Sequence, residues 1–206
     1  MKASRLSIGV SLAVFLSSCA NPIVRTTYER YADECSKGIE EACYRAWVNT
    51  RTGMLGPELE SRALYNWGLM LSRDNQYAKA EEPLQKSLVI ERTIEPRSDL
   101  RIGRRLAQLG LVMAMQYRTK WKFEAGVRYM DEVLPIAPVF QGVDQHVAGL
   151  TLVFYAALLR RQGDIDRASR YEERAAKMGM DVANLGPSAE KSIREFEAKA
   201  SASPGQ

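Results

Sequence analysis

Three times along the chain a bulky residue is followed directly by a small one, and an alanine comes one turn and part of a helix later. The sets are Trp67-Gly68 with Ala80, Leu109-Gly110 with Ala125, and Tyr155-Ala156 with Ala168, so the alanines recur at intervals of 45 and 43 residues. A unit of that size cannot bury its apolar face alone and must stack on its neighbours. No segment after residue 27 alternates as a strand would, whereas apolar residues repeatedly recur at spacings of three and four. Ile102, Leu106, Leu109 and Met113 make one such face, and Val143, Val147, Leu150, Phe154 and Leu158 another. Leu111 and Val112 add apolar surface to the first helix, and Leu152, Tyr155 and Leu159 to the second. A helix that is apolar on more than one side is packed on more than one side. The chain is therefore expected to be all-α and built of stacked helices; a plain bundle in which the alanines coincide is the alternative.

These residues resemble the tetratricopeptide repeat (TPR), in which the large-then-small pair lets a second helix approach closely at an alanine. The third unit matches best, with Leu159, Gly163 at the turn, Ile165, Ala168 and Ala175. The first has Leu71, Tyr77, Ala80 and Leu84, with Ser87 where the family has alanine. The second departs: three extra residues lie between Gly110 and Ala125, and Glu132 stands at the expected alanine site. The run from Tyr77 to Leu84, with Leu88 and Ile90, is similar to the longer repeats of the kinesin-light-chain type, and Pro83 within it should kink its helix. The resemblance covers about residues 61–179. It implies a right-handed superhelix of antiparallel helix pairs, a TPR-like α-solenoid, over residues 28–184. It also implies that the first helix of each unit lines a concave groove. That helix would offer Arg62, Tyr65, Asn66, Leu69 and Arg73 from the first unit. The second unit would give Arg104, Gln108, Leu111 and Met115, and the third Phe154, Arg160 and Arg161. Arginines pair with carboxylates, amides hold peptide backbone and methionine adapts, which suits an extended peptide. The other reading of Tyr65, Leu69, Leu111 and Phe154 is core between repeats.

Residues 1–19 carry Lys2 and Arg5, then an apolar run from Leu6 to Leu16, then small residues and Cys19. The run is too short to span a bilayer, which takes about 20 apolar residues, and reads as an export signal. Leu16-Ser17-Ser18-Cys19 resembles the bacterial lipobox, which implies a cleaved signal peptide over residues 1–18, lipid on Cys19 and a tether over residues 19–27. Ala20, where an aspartate would resemble an inner-membrane retention signal, favours an outer-membrane anchor facing the periplasm. The chain from Cys19 onward holds 27 basic and 25 acidic side chains. A balance that close to neutral excludes the strongly basic surface of a nucleic-acid binder.

Cys35 and Cys43 remain, and in an oxidising compartment a pair reads as a disulfide. On one unbroken helix they would stand about 12 Å apart, beyond the roughly 7 Å a disulfide tolerates between Cα atoms. Either the helix breaks at Gly38 and the pair closes, or the thiols stay free or bridge two chains. The segment from Cys35 to Cys43 resembles the cysteine-stapled hairpin of Sel1-like repeat proteins, which implies that the bond forms.

Chemistry is sparse. His146 is the single histidine, so neither a histidine dyad nor a multi-histidine zinc site can be built, and no catalytic residue, metal ligand or cofactor site is expected. Glu81-Glu82 and Glu172-Glu173 point about 100° apart on their helices and read as solvated faces. Arg97, Arg101 and Arg105, with Arg104 beside them, share a helical face that is either solvated or a site for an anionic partner. Residues 28–50 are expected to cap the front of the stack. Gly186-Pro187-Ser188 is expected to break the chain before a capping helix over residues 188–200 with Ile193 and Phe196 on one side, and residues 201–206 to form a tail. The function this implies is an outer-membrane lipoprotein that binds an envelope protein or extended peptide, as an adaptor or assembly factor for pilus, secretion or cell-wall machinery. The alternatives are a carrier of a small apolar or anionic ligand and an enzyme acting on peptidoglycan.

Overall fold

The computed structural model describes residues 22–202, and among them every regular element is helical. The helices are α1 (Pro22–Ser36), α2 (Glu40–Thr52), α3 (Pro57–Arg73), α4 (Tyr77–Glu91), α5 (Asp99–Ala114), α6 (Lys120–Ile136), α7 (Gly142–Arg161), α8 (Ile165–Lys177) and α9 (Val182–Ala202). The expected signal peptide, Cys19 and the first part of the tether lie outside the described residues.

Local chemistry sets the ends. Pro57 opens α3 with Glu58 and Glu60 in its first turn, and Arg73 closes it, each complementing the charge of that helix end. The Ser98 side chain accepts from Arg101 N at 3.3 Å to start α5, and Asp164 from Arg167 N at 3.1 Å to start α8. The turns before α2 and α8 hold Gly38 at φ 91° and Gly163 at φ 84°, left-handed conformations in which a side chain would be strained.

The helices pack as neighbours in sequence: α1 with α2, α3 with α4, α5 with α6, and α7 with α8. Successive pairs then meet early in the chain through the second helix of one and the first of the next, α2 against α3 and α4 against α5, and later through first helices, α5 against α7, with α7 in turn against α9. The small residues set these distances. A Cβ on Gly68 would come within 2.4 Å of Leu84 Cγ, and one on Gly110 within 2.4 Å of Met130 Sδ. A single core runs from Cys35 to Ile193, and a smaller cluster of Tyr28, Ala46 and Ala63 sits beneath α1. Helix α7 is apolar and long enough to cross a membrane by composition, but α5, α8 and α9 cover it, as its several apolar sides require.

Four expectations need correction. In the second unit the close contact falls on Gly126, not Ala125: its Cβ would lie 1.8 Å from Tyr155 Oη, while Glu132 points outward to pair with Arg92. Counting from Gly126, Met130 matches Leu84 of the first unit and Val133 matches Ser87. The extra residues form a five-residue connection, 115–119, where the other two pairs have three. Secondly, residues 22–27 belong to α1 and are not a tether. Thirdly, the chain does not break at 186–188; α9 begins at Val182, with Asp181 Oδ1 accepting from Asn184 N, and runs through Pro187 to Ala202. Ile193 is buried on α9, the Phe196 side chain lies outside the described residues, and the expected tail is helical at 201–202. Finally, Glu81 is not solvated: it accepts from Gln116 and Lys122, which tie α4 to the α5–α6 connection and α6. Helix α4 is continuous through Pro83.

Cys35 and Cys43 form the disulfide, with Cα atoms 4.6 Å apart across the turn at Gly38. The bond closes a short loop, for which chain entropy gives about 2.5 kcal/mol. Replacing both cysteines by alanine should lower stability by roughly that amount, read as an earlier urea midpoint with unchanged slope.

Candidate functional site

Helix α3 turns one face toward α5. Spacings of four, three and four place Arg62, Asn66, Leu69 and Arg73 along it, and Tyr65 lies deeper beside them. Arg101, Arg104 and Gln108 answer from α5, and Val143, Asp144 and Val147 from α7. Between these helices lie two hollows of about 320 and 260 Å³ that share Tyr65 and Arg104. Most of the groove residues expected from the first unit and the start of the second therefore do meet in one place.

Their states differ. Arg62 Nε donates to Tyr28 Oη at 3.0 Å and its guanidinium lies over that ring. Arg104 pairs with Asp144, whose hydrogen bond holds the guanidinium pKa above its ordinary value. Burial pushes the Tyr65 hydroxyl up, against the opposing pull of Arg105, Arg104 and Arg73. Gln108 is buried and donates to Ser72 Oγ at 3.0 Å, so it is a packing residue. Asn66 and Arg73 have no hydrogen-bond or ion-pair partner among the described residues, and Arg73 is exposed.

The third unit does not extend this groove. Arg160 makes a two-pronged pair with Glu172 on α8, at 2.7 and 2.5 Å, and Arg161 pairs with Glu197 on α9 at 2.8 Å. Both fasten α7 to its flanking helices. Phe154 and Leu111 face a separate hollow under α9, and Met115 joins Phe154 in the next one. Helix α9, which the resemblance does not cover, closes what would have been the far end of the groove.

On the arginine face, Arg105 is neither solvated nor open to an anionic partner. That guanidinium is 4 % exposed. Its Nη2 meets Glu91 Oε2 at 2.9 Å, and its Nε donates to Ser87 Oγ at 2.8 Å and Ser61 Oγ at 3.1 Å. Tyr65 covers it, with the ring centroid 5.0 Å away. Burial pulls the Arg105 pKa below its ordinary value, and Glu91 opposes this. Glu91 also accepts from Ser61 Oγ at 2.9 Å and pairs with Arg101, which reaches Glu58 at 3.4 Å. Arg97 pairs with Asp99 beside it. This network forms the floor of the groove and fixes the spacing of α3, α4 and α5. Its signal in the sequence is Ser87, the polar residue at the first unit's small position, followed one turn later by Glu91.

His146 is exposed on α7, and no group of three or more potential metal ligands occurs among the described residues. The site can therefore hold and orient a ligand through cations, an amide and apolar side chains. No protein-family model and no curated protein matches the chain.

Proposed function

We propose that the chain is a TPR-like lipoprotein, anchored through Cys19 in the outer membrane and facing the periplasm, that binds an envelope protein through the α3–α5 groove as an adaptor or assembly factor. The observation that carries this reading is the row of Arg62, Asn66 and Arg73 on one exposed face of α3, two of them without internal partners, over a floor fixed by buried charges. Such a floor holds its neighbours in place before anything binds, which reduces the ordering cost of association. Guanidinium groups take carboxylates in paired hydrogen bonds, and a side-chain amide can bond both groups of a peptide unit. In the same reading the helix pairs wind as a right-handed superhelix, and the stapled α1–α2 hairpin caps its front, as in Sel1-like proteins. A lipid anchor confines the protein to the surface where a membrane-bound partner also moves, so modest affinity suffices.

The test is capture from crosslinked envelopes with the lipidated chain beside Arg62→Glu with Asn66→Ala. Asn66 has no internal partner and Arg62 gives up its hydrogen bond to Tyr28 Oη, so the variant should keep parental helicity and melt a few degrees lower, and capture is compared well below that transition. One protein held by the parent and reduced at least tenfold with the variant supports the reading. Equal recovery with both chains contradicts it.

A further inference from the structure

Helix α9 is fastened at its two ends and covers a hollow between them. Near its start, a Cβ on Gly149 of α7 would come within 2.6 Å of Met180 Cγ, and Gln145 Nε2 donates to Met178 O at 2.7 Å. Near its end, Glu197 accepts from Tyr117 Oη at 2.7 Å and from Arg161 at 2.8 Å, while Arg118 donates to Glu197 O at 3.0 Å. Between these fastenings Leu185 and Ile193 pack into the core, and the short side chains of Ser188, Ala189 and Ser192 face Leu111, Leu150 and Phe154. The space left is a hollow of about 360 Å³, and a second of about 200 Å³ adjoins it at Phe154 and Ser192. Together they follow α9 from Leu185 to Glu195, a length of about 15 Å at the helical rise.

The lining offers a ligand carbon and almost nothing else. The hydroxyls present already donate elsewhere: Thr151 to Val147 O at 2.8 Å, Ser188 to Asn184 O at 3.0 Å, Ser192 to Ser188 O at 3.0 Å, and Tyr117 to Glu197 at 2.7 Å. A polar ligand would lose its hydration there without replacement. At Val147 the slot meets the α3–α5 groove, and that hollow also contains Arg73, which has no ion-pair partner among the described residues.

We propose that the chain binds a single-chain anionic amphiphile, its unbranched apolar tail lying under α9 and its anionic head turned toward Arg73. The tail accounts for a long, narrow, apolar slot of a size usual for ligand sites. The head accounts for the unpaired Arg73 guanidinium in the hollow that adjoins the slot at Val147, where the carboxylate of Asp144 is already paired with Arg104. A free fatty acid and a lysophospholipid share this chemistry.

The test uses the chain from position 19 onward with Cys19→Ser, so that no acyl chain is attached, stripped of bound lipid and titrated with cis-parinaric acid, a fatty acid that fluoresces in apolar surroundings. Saturable uptake at one equivalent is expected. Ala189→Leu with Ser192→Leu fills the slot, and should weaken uptake at least tenfold while the melting temperature holds or rises. Arg73→Ala should weaken competition by decanoate severalfold and leave competition by decanol unchanged. Displacement by decanoate alone identifies a fatty acid as the ligand, and displacement by lysophosphatidylglycerol at lower concentration identifies a lysophospholipid. No saturable uptake, or uptake unchanged in the filled variant, overturns the proposal. Neither outcome depends on the capture of a protein partner by Arg62 and Asn66.

Discussion

Glu91→Ala should unfold this protein more readily than any other single charge removal, at a cost of about 3–5 kcal/mol. The Glu91 side chain is 1 % exposed and is the counter-ion of Arg105, itself buried, and of Arg101. Its removal leaves the Arg105 guanidinium in the interior with two serine hydroxyls and no negative charge beside it. A guanidinium does not escape by losing its proton, so helices α3, α4 and α5 must part enough to admit water. For a domain of this size the melting temperature should fall by roughly 6–20 °C. Glu91→Met with Arg105→Met removes both charges, and buried pairs replaced by apolar residues of similar size are often neutral or better. The double variant should therefore melt within a few degrees of the parent. A small effect of Glu91→Ala alone would show that the network is not what fixes the groove floor.

Gly126→Ala and Gly186→Ala should move stability in opposite directions. Both glycines lie inside helices, where alanine is worth about 1 kcal/mol more than glycine in the absence of contacts. At Gly186 nothing beyond its chain neighbours lies within 4 Å of the added carbon, but the Cδ of Pro187 crowds a Cβ on the helical residue before it, so only part of that gain should appear. At Gly126 the added Cβ would sit 1.8 Å from Tyr155 Oη and 2.8 Å from Met113 Cβ. Tyr155 is fully buried, and its hydroxyl donates to Gly110 O at 2.6 Å. Moving the ring breaks that bond at about 1–3 kcal/mol and overpacks the α5–α6–α7 contact at a similar cost. The net loss at Gly126 should be about 2–4 kcal/mol after the helical gain. Urea titrations of the two variants beside the parent measure both.

That contrast shows where a sequence stops being sufficient. The helix pairs, the turn glycines and the buried faces of α5 and α7 follow from spacing, because a 3.6-residue period and a left-handed turn leave few other placements. Ala125 and Gly126 are adjacent and both small, and periodicity treats them alike; the choice falls to the reach of Tyr155 from another helix. Arg97, Arg101 and Arg105 share a four-residue spacing, yet only Arg105 is buried, since Glu91, Ser61 and Ser87 meet it from α3 and α4. Spacing within one helix carries no record of such partners. Gly186-Pro187 reads as a break, but proline's missing N–H costs a helix one bond, and the Asp181 cap had already started α9. A closing helix with Ile193 inward was legible, but its start at Val182 and its path along α7 were not, and so neither was the slot beneath it, nor the use of Arg161 as a fastening and not a groove residue.

The most direct test of the groove places a photocrosslinking side chain at Asn66, on the inner face of α3, or at Lys79, exposed on α4, in the membrane-anchored chain. A single envelope protein crosslinked from position 66 and absent from position 79 is the expected result. Equal crosslinking from both positions, or from 79 alone, would contradict a partner held in the α3–α5 groove.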